Sequence, residues 1–289
     1  MTGRIICVGD VMVDVLAELP GPLATGSDTP APINFSPGGS AANTAAWLAW
    51  LGAPVTFVGR IGDDAFGAEA VASLRQLGVL TRVAIDFDRP TGVCLVLVSP
   101  DGERTMVPSA GANSGLLGED LLASITAADH LHLSGYSLLN EASRPAARAA
   151  LAAAASVSVD AASAAPLQSL GADTFLGWLP HGTLVLANAD ELDALGGDAR
   201  ALVARGLTVV VKDGPAGARL FTADAWHNVP TEPVPVRDST GAGDAFAAGL
   251  LASWWGGSSL AEAVAAGNRT GAQALSTIGG RPHSGNQPA

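Results

Sequence analysis

The sequence predicts an α/β fold built on a mostly parallel central sheet with helices on both faces. Short apolar runs alternate with longer Ala- and Leu-rich segments from residue 121 onward, and strands that alternate with helices form parallel sheets. Hydrophobic residues make up 48% of the 289 residues, enough to bury a substantial core. No internal repeat or inserted linker divides the sequence, so we expect a single domain over residues 1–289.

At the start of the chain, an apolar run at 4–9 that ends in glycine is typical of a buried strand. The alternating run that follows places Asp10 and Asp14 on one face of an extended segment. Prolines interrupt the stretch between 20 and 37. We therefore expect residues 12–36 to form a hairpin-like lid segment outside the main sheet.

The remaining elements follow from periodicity and turn chemistry. The predicted helices are 40–51, 64–77, 121–127, 144–155, 175–178, 190–195, 199–204, 245–255 and 260–275. The predicted strands are 55–58, 83–87, 93–98, 104–107, 130–133, 157–159, 184–186 and 207–211, followed by a hairpin of 218–221 and 226–229. Turns at 89–90 and 99–102 make 88–108 a second lid segment, and the polar residues 281–289 indicate a loose tail.

Charge and composition exclude several classes of partner. The net charge is −12, from 27 acidic and 15 basic residues, which would repel nucleic acid and anionic membranes. No apolar run reaches the roughly 18–20 residues that a membrane span needs, and we expect no signal peptide. Cys7 and Cys94 lie in strand-like apolar runs without metal or disulfide spacing. They are predicted to be small core residues of a cytoplasmic protein.

Residues 238–249, Asp-Ser-Thr-Gly-Ala-Gly-Asp-Ala-Phe-Ala-Ala-Gly, join a Pro-containing segment to a predicted helix. Gly241 and Gly243 lie where backbone N–H groups lack intrahelical partners, and glycine lets a phosphate approach such a helix N-terminus closely. A carboxylate at Asp244 would repel phosphate, so we expect it to take the proton of a hydroxyl that attacks the phosphate. The alternative is an acidic N-cap residue followed by an ordinary helix.

A second group of polar residues near the N-terminus suits the binding of hydroxyl groups. Asp14 and Asn43 lie among apolar or small residues, beside Gly38 and Gly39. Carboxylate and amide oxygens accept hydrogen bonds from hydroxyls, and amide N–H groups donate them. The alternative is a solvated strand-end aspartate and a helix-capping asparagine. Asp10 is equally compatible with local backbone bonding and with substrate contact.

These two regions resemble the two signatures of the ribokinase-like (PfkB-type) carbohydrate kinase family. The stretch 238–251 resembles the family's C-terminal signature with the core D-T-x-G-A-G-D. Gly-Gly-Ser-Ala-Ala-Asn-Thr-Ala at 38–45, followed by Gly52 and Gly62, resembles its N-terminal signature. The resemblance covers essentially the whole chain. It implies a three-layer α/β/α sandwich with a small β lid, and ATP-dependent phosphoryl transfer to an alcohol.

The resemblance also implies roles for individual residues. Asp244 matches the general base, and the backbone amides of Gly241, Ala242 and Gly243 match the family's anion hole. The positions of Asp14, Gly39 and Asn43 match acceptor-binding residues, and Gly38 lies beside them. Gly214, Gly217 and Asn268 match the family's nucleotide-binding positions, and Lys212 is a candidate for a further contact to phosphate. The alternative for Lys212 is an ordinary surface lysine.

The cation sites are implied in the same way. Asn188 and Glu191 resemble the family's N-x-x-E motif, which is associated with Mg²⁺ held largely through water, as this ion prefers. Asn before an acidic first turn is also simply good helix capping. Asp238 resembles the acid that helps to bind an activating monovalent cation such as K⁺ in many relatives.

The residues favour an uncharged acceptor. Residues 5–59 contain no Arg or Lys, and a phosphate normally calls for converging cations; Arg89 and Arg104 are the remaining candidates. A nucleoside would want aromatic faces, and only Phe35 is available between Asp10 and Asn43. A free pentose or ketohexose is therefore the first expectation.

Other acceptors and other classes of protein stay open as alternatives. They are a nucleoside kinase of adenosine or pseudouridine type, a 2-keto-3-deoxygluconate kinase with Arg104 at the carboxylate, and a non-catalytic sugar or nucleotide sensor. No G-x-G-x-x-G follows the first strand, which argues against a dinucleotide oxidoreductase. Relatives often form homodimers through their lid strands, so 12–36 and 88–108 are candidates for an interface.

Overall fold

The computed structural model describes residues 3–100 and 104–282. Its strands are β1 (Ile5–Val8), β2 (Met12–Glu18), β3 (Ile33–Gly38), β4 (Val55–Gly62), β5 (Leu80–Asp86), β6 (Gly92–Val98), β7 (Arg104–Ser109), β8 (His130–Ser134), β9 (Ser156–Asp160), β10 (Leu184–Asn188), β11 (Thr208–Lys212), β12 (Ala218–Phe221) and β13 (Trp226–Val229).

The helices are α1 (Ser40–Trp50), α2 (Ala65–Gln76), α3 (Gly118–Leu122), α4 (Tyr136–Leu139), α5 (Arg144–Ala153), α6 (Ala164–Leu170), α7 (Ala172–Leu176), α8 (Ala189–Ala194), α9 (Ala199–Ala204), α10 (Ala242–Trp255) and α11 (Leu260–Ala274), with 3₁₀ turns at Gly111–Gly115 and Gly214–Ala216. Within the described residues, no helix combines the length and the apolar character needed to cross a membrane.

The main sheet contains nine strands within the described ranges, in the order β13-β12-β11-β10-β9-β8-β1-β4-β5. Its strands are parallel except for β12 and β13, which form an antiparallel hairpin at one edge. Strands such as β1 and β10 are almost continuous runs of buried apolar residues, as expected for a sheet covered on both faces. One apolar core lies under α1, α10 and α11, and a second lies under α5 to α9 on the other face. The predicted α/β class is confirmed.

The lid segments form a second, four-stranded sheet in the order β3-β2-β6-β7. In this sheet β2 is antiparallel to β3 and parallel to β6, and β6 is antiparallel to β7. Asp14 pairs with Ser36 and with Cys94 across the sheet. Because side chains alternate along a strand, the neighbouring residues Val15, Phe35, Leu95 and Val107 belong to the opposite face.

The chain crosses between the two sides of the main sheet at its centre. From β1 the chain proceeds through the lid to β4 and β5 on one side, and β8 to β11 continue on the other. In open α/β sheets, the crevice at such a topological switch beyond the strand C-termini is where ligands bind. Asp10 follows β1, and Asp160 ends β9. The fold therefore directs several acidic side chains to one place.

Some predicted elements differ from the structure. The helix predicted at 121–127 is instead α3, because Asp129 accepts from both the N–H and the hydroxyl of Thr126 and folds the following residues into a turn. The short helices α4 and α6 were not predicted. The tail prediction is wrong at Arg281, which is only 7% exposed. Residues 283–289 of that tail and residues 101 and 102 of the predicted turn lie outside the described residues.

Candidate active site

The loop before α10 has the geometry of an anion site. Gly241 has φ +72° and caps the helix in the left-handed region, where glycine is favoured. A Cβ at this position would also lie 2.5 Å from Gly280 Cα. The amides of Gly241 and Gly243 have no acceptor among the described residues, whereas the amide of Ala242 donates to the Ser239 carbonyl at 3.3 Å. The two glycine amides are thus the ones available to an anion.

Asp244 lies in the first turn of α10 and is held by two donors from α1. The hydroxyl of Ser40 donates to Asp244 Oδ1 at 2.8 Å, and Asn43 Nδ2 donates to Oδ2 at 3.0 Å. Burial raises the pKa of Asp244 to about 7, the two hydrogen bonds oppose this rise, and the nearby Asp160 and Asp10 add to it. A carboxyl group with this pKa can exchange a proton near neutral pH.

Of the predicted acceptor residues, Asn43 contacts Asp244 directly, and Asp14 lies near Arg281 and Asp10. Asp14 on β2 is 8% exposed, and no described residue donates a hydrogen bond to its carboxylate. Burial raises the pKa of Asp14 to about 6, although Arg281 opposes this rise. Gly38 leaves room for the carboxylate, because a Cβ there would collide with it. Gly39 has φ +94° and packs against the carbonyl of Asp10. Arg281, which donates to Asn43 and is close to Asp14, therefore links the two predicted acceptor residues.

Asp10 serves the local backbone. Its Oδ2 accepts from the amide of Ser40 at 2.7 Å and so caps the start of α1. Its Oδ1 is buried without a hydrogen-bond partner among the described residues. The backbone role is the one seen in the structure, and the open oxygen leaves the contact with substrate as a prediction.

The predicted nucleotide residues lie on the other side of the anion loop. Lys212 donates to Asp160 Oδ2 at 2.8 Å, and a Cβ on Gly243 would lie 3.4 Å from its Nζ. This lysine is therefore not a free surface residue: it lies under the anion loop. Burial lowers the pKa of Lys212, but Asp160 and Glu191 more than reverse this effect, so the pKa is raised overall.

The glycine-rich turn leads through the β12–β13 hairpin to a segment that borders a large cavity beside α11. Gly214 and Gly217 have φ +56° and +95°, and they close a turn in which the Gly217 amide donates to the Gly214 carbonyl. A cavity of about 1050 Å³ lies between 230–237 and α11. Asn268 borders this cavity and donates to the Val229 carbonyl at 2.8 Å. Its amide thus ties α11 to the segment that closes the cavity.

Asn188 and Glu191 form a capping box. Asn188 Oδ1 accepts from the Glu191 amide, and Glu191 Oε2 accepts from the Asn188 amide, each at 2.8 Å. The capping alternative is confirmed, and a role in Mg²⁺ binding remains a prediction. No cluster of three or more His, Cys, Asp or Glu side chains suited to a metal occurs in residues 3–100 and 104–282. The carboxylates of Glu191 and Asp160 beside the anion loop fit Mg²⁺, which takes one or two carboxylates together with phosphate and water.

Asp238 connects the anion loop to the lid. Its carboxylate accepts from the amides of Thr240 and Gly279, at 2.6 and 2.9 Å, and forms an ion pair with Arg104 of β7. Burial alone would raise the pKa of Asp238, but these hydrogen bonds hold it below its ordinary value. Arg104 also donates to the hydroxyls of Ser239 and Thr240. A guanidinium group therefore lies where the resemblance suggests a monovalent cation, whose binding remains a prediction.

Four residues of this site were not predicted from the sequence. Ser40 follows the two glycines of the N-terminal motif, and Asp160 ends a parallel strand, a position that itself points to ligand binding. Tyr136 follows β8, and burial together with the charges of Asp10, Asp244 and Asp160 raises the pKa of its phenol. Arg281 lies 238 residues from Asn43, to which it donates, and no local signal marks it.

Comparison with known proteins gives a consistent result. The sequence profile described as "pfkB family carbohydrate kinase" matches residues 2–285. An ATP-dependent ribose-1-phosphate kinase of Halopiger xanaduensis is 33% identical over 284 residues, which are 96% of this chain and 94% of the relative. The resemblance seen in the two glycine-containing motifs is confirmed.

Solved structures agree with the fold. An adenosine kinase from Sinorhizobium meliloti superposes with a TM-score of 0.82 at 26% identity, covering 98% of this chain and 96% of that one. A fructokinase from Vibrio cholerae, solved with fructose, ADP and a calcium ion, superposes with a TM-score of 0.79 at 27% identity, covering 96% and 94%. The predicted three-layer fold with a small β lid is confirmed.

Proposed function

The chain belongs to the pfkB family of carbohydrate kinases, and we propose that this ATP-dependent kinase phosphorylates a primary hydroxyl of a small free sugar, a pentose or a ketohexose. The observation that carries the proposal is the position of Asp244. Its carboxylate accepts from Ser40 and Asn43 in the first turn of α10, next in sequence to Gly243, whose amide has no acceptor among the described residues. An alcohol held by Asp14 and Asn43 would therefore face both a base and an anion site.

In the proposed reaction, Asp244 takes the proton of the sugar hydroxyl as the hydroxyl oxygen forms a bond to the γ-phosphorus. The bond from that phosphorus to the β,γ-bridging oxygen breaks, and ADP leaves with the electron pair. The amides of Gly241 and Gly243 stabilise charge on the phosphoryl oxygens, and the ammonium of Lys212 adds to this stabilisation. Bound Mg²⁺ would neutralise phosphate charge, and Glu191 and Asn188 would hold it through water, with the carboxylate of Asp160 as a further ligand.

The two arginines near the site are already bound to protein oxygens, which favours an uncharged acceptor. The guanidinium of Arg281 is already bound to protein oxygens, including Asn43 Oδ1 and the Gly38 carbonyl. Arg104 is bound to Asp238 and its neighbours. The carboxylates of Asp14 and Asp10, by contrast, have accepting capacity left. Such a space favours hydroxyl groups over phosphate.

A phosphorylated sugar is the second candidate. The ribose-1-phosphate kinase named above covers nearly the whole chain, and Arg104 Nε is buried with no partner among the described residues. If Arg104 left Asp238, its guanidinium could bind an acceptor phosphate. Phe35 does not favour a nucleoside, because it lies on the opposite lid face from Asp14 and stacks on Phe66 at 6.0 Å between centroids.

The test is a screen of ADP formation by the purified protein with ATP and Mg²⁺. Acceptors would include fructose, ribose, ribose 1-phosphate, adenosine and 2-keto-3-deoxygluconate. We expect the highest kcat/KM with a free sugar. A preference of about tenfold or more for ribose 1-phosphate would reject the neutral acceptor in favour of the second candidate. Failure to form ADP with every acceptor would reject the proposed activity.

We also propose that two copies of the chain pair through the lid. Phe35, Leu95 and Val107 form an apolar row with Val15 across the small sheet, on the face opposite Asp14. Their exposed fractions are 62%, 38% and 55%. Exposed apolar rows of this kind mark interfaces between proteins. A second copy of the same face would cover them.

A further inference from the structure

Residues 279–281 cross the site between the anion loop and α1. The Gly279 amide donates to Asp238, and the Gly280 carbonyl accepts from Trp47 Nε1 at 3.0 Å. Gly280 also packs so closely against Asn43 that a Cβ there would collide with the amide. This segment therefore holds Arg281 at a fixed position against the acceptor residues.

Arg281 uses its guanidinium group entirely on protein oxygens. It donates to the Gly38 carbonyl at 3.0 Å and to Asn43 Oδ1 at 3.2 Å. Longer hydrogen bonds reach the Ser73 hydroxyl at 3.3 Å and the Ala70 carbonyl at 3.4 Å. A planar group with five N–H donors suits this set of acceptors, and a lysine ammonium would satisfy fewer of them.

The hydrogen bonds of Asn43 give this contact a consequence at the reacting centre. Asn43 Oδ1 faces Arg281, while Nδ2 faces Asp244. Rotating the amide by 180° would place its oxygen against the carboxylate and its NH₂ group against the guanidinium. Both contacts would then be repulsive. The charge of Arg281 thus selects the orientation in which Asn43 donates to Asp244.

We propose that Arg281 is a positioning residue for phosphoryl transfer: it fixes the amide of Asn43 so that this amide holds the carboxylate of Asp244 toward the acceptor hydroxyl. The inference rests on the proposed role of Asp244. Arg281 touches neither the acceptor nor the phosphates in this arrangement, so it acts through Asn43.

The arrangement predicts how Asp244 responds to the loss of Arg281. The charged and titratable groups around Asp244 are Asp10, Tyr136, Asp160, Lys212 and Arg281. Arg281 is one of two cations in this set, and it also keeps the Asn43 donor in place. Removing it would weaken both influences that favour the carboxylate. The pKa of Asp244 would therefore rise further.

The experiment compares Arg281→Met, Arg281→Lys and Asn43→Ala in the complete chain, with the best acceptor of the screen. For Arg281→Met we expect a loss in kcat of about 10- to 100-fold at pH 7, with the KM for ATP within about twofold of wild type. The acid limb of kcat/KM should move to higher pH. Arg281→Lys, which keeps a charge, should recover part of the loss.

A double-mutant cycle tests whether Arg281 acts through Asn43. In an Asn43→Ala background, Arg281→Met should cost less than about threefold, because residues that act as a unit are not additive. Arg60→Met is the matched control: Arg60 is an ion-paired, largely buried arginine that contacts neither Asn43 nor Asp244. It should lower Tm without moving the pH midpoint. Two results would overturn the proposal. The double variant could lose kcat by the full product of the two single losses, or the acid limb of kcat/KM could stay in place in Arg281→Met.

The outcomes separate this inference from the proposed function. A wild-type protein without phosphotransfer rejects the function, and a thermal-unfolding cycle of the same variants still tests the coupling of Arg281 to Asn43. Independent effects on Tm would then reject the inference as well. If Arg281→Met does not fold, Arg281→Lys carries the kinetic test, with an unchanged kcat and pH profile as the contradicting result.

Discussion

At the scale of single residues, Asp244 combines a raised pKa with two hydrogen-bond donors from a neighbouring helix. Asp244→Asn keeps the shape of the side chain and removes the base. We expect kcat to fall by about 10²- to 10⁴-fold, the usual contribution of general-base catalysis. ADP release measured at saturating ATP checks this, with circular dichroism as the control for folding. Turnover within about threefold of wild type would contradict the assigned role.

If Asp244 is the base, its pKa should set the pH dependence of activity. A base must be ionised, so kcat/KM should fall below about pH 7, the pKa that burial gives this carboxyl. The hydroxyl of Ser40 stabilises the ionised form, so Ser40→Ala should move the midpoint to higher pH. A pH–rate profile from pH 5 to 9 measures both effects. A midpoint that moves to lower pH in Ser40→Ala would contradict the sign.

Ionisation of the Asp244 carboxyl group should also lower the stability of the folded protein. The folded-state pKa of Asp244, about 7, lies above the unfolded value of about 3.9. The folded state therefore binds the proton more tightly, and stability declines as pH rises from about 4 to about 7. Asp244→Asn cannot ionise, so its Tm should exceed that of wild type at pH 8, and the gap should close near pH 4. Thermal scans at both values check this.

At the scale of elements, an ion-pair cluster joins β4, β5 and α3. Arg60 bridges Asp86 at 3.1 Å and Asp120 at 3.0 Å. Burial would raise the pKa of Asp86, but backbone N–H groups and the guanidinium groups of Arg60 and Arg89 lower it to about 2. Since the folded pKa lies below the unfolded value of about 3.9, this contribution to stability is complete above pH 4 and lost as pH falls through about 2.

Replacing Asp86 should therefore cost stability in a pH-dependent way. Asp86→Asn leaves Arg60 without one of its buried partners, so we expect the free energy of unfolding to drop by about 3 kcal/mol at pH 7. Urea titrations at pH 7 and near pH 2 measure the effect, which should shrink at the lower pH. An equal loss at both values would mean that packing rather than charge stabilises this junction.

The lid is tied to the anion loop through Arg104 and Asp238. In Arg104→Met the lid should cover the acceptor residues for a smaller fraction of the time. The acceptor should then bind less well, because closing lids position substrate for reaction. We expect the KM for the acceptor to rise about tenfold, equivalent to about 1.4 kcal/mol, and Tm to fall as well, because the buried Asp238 loses its ion-pair partner. Arg75→Met, at an exposed arginine of α2, is the control. A KM equal to that of the control would show that the pair does not hold the lid in solution.

Elements with strong periodicity were predictable from the sequence, and those defined by side-chain turns were not. The hairpin of β12 and β13 has the predicted bounds, and α1 differs from its prediction by one residue. α3 ends early because Asp129 bonds to Thr126, a competition that composition does not reveal. Arg281 belongs to the site only through tertiary contacts, so its role could not be inferred from local pattern.

At the scale of the whole molecule, the site lies where the sheet order reverses between β1 and β8. The position of Asp10 and of the anion loop could be anticipated from this rule. The absence of Arg and Lys from residues 5–59 does not define the charge near the acceptor residues, because the fold brings Arg281 to Gly38. Contacts across more than 200 residues are visible only in the folded chain.

The proposed dimer yields a prediction with a built-in control. Val107 and Met106 are adjacent on β7 and similarly exposed, at 55% and 53%, but they lie on opposite faces of the lid sheet. Val107→Lys should convert dimers to monomers, because it places a charge in the apolar row, and Met106→Lys should not. Sedimentation velocity measures the change. A wild-type protein that sediments as a monomer would reject the interface.

In the proposed reaction the acceptor and the γ-phosphate would contact separate sheets: Asp14 belongs to the four-stranded lid, whereas Lys212 ends a strand of the nine-stranded sheet and lies beside the loop that leads to Asp244. On this proposal, substitutions on β2 or β6 should alter which alcohol is accepted more than they alter phosphoryl transfer. Such modularity offers an evolutionary route by which duplicated genes acquire new sugar preferences, and it marks β2 and β6 as the strands to randomise in laboratory selection.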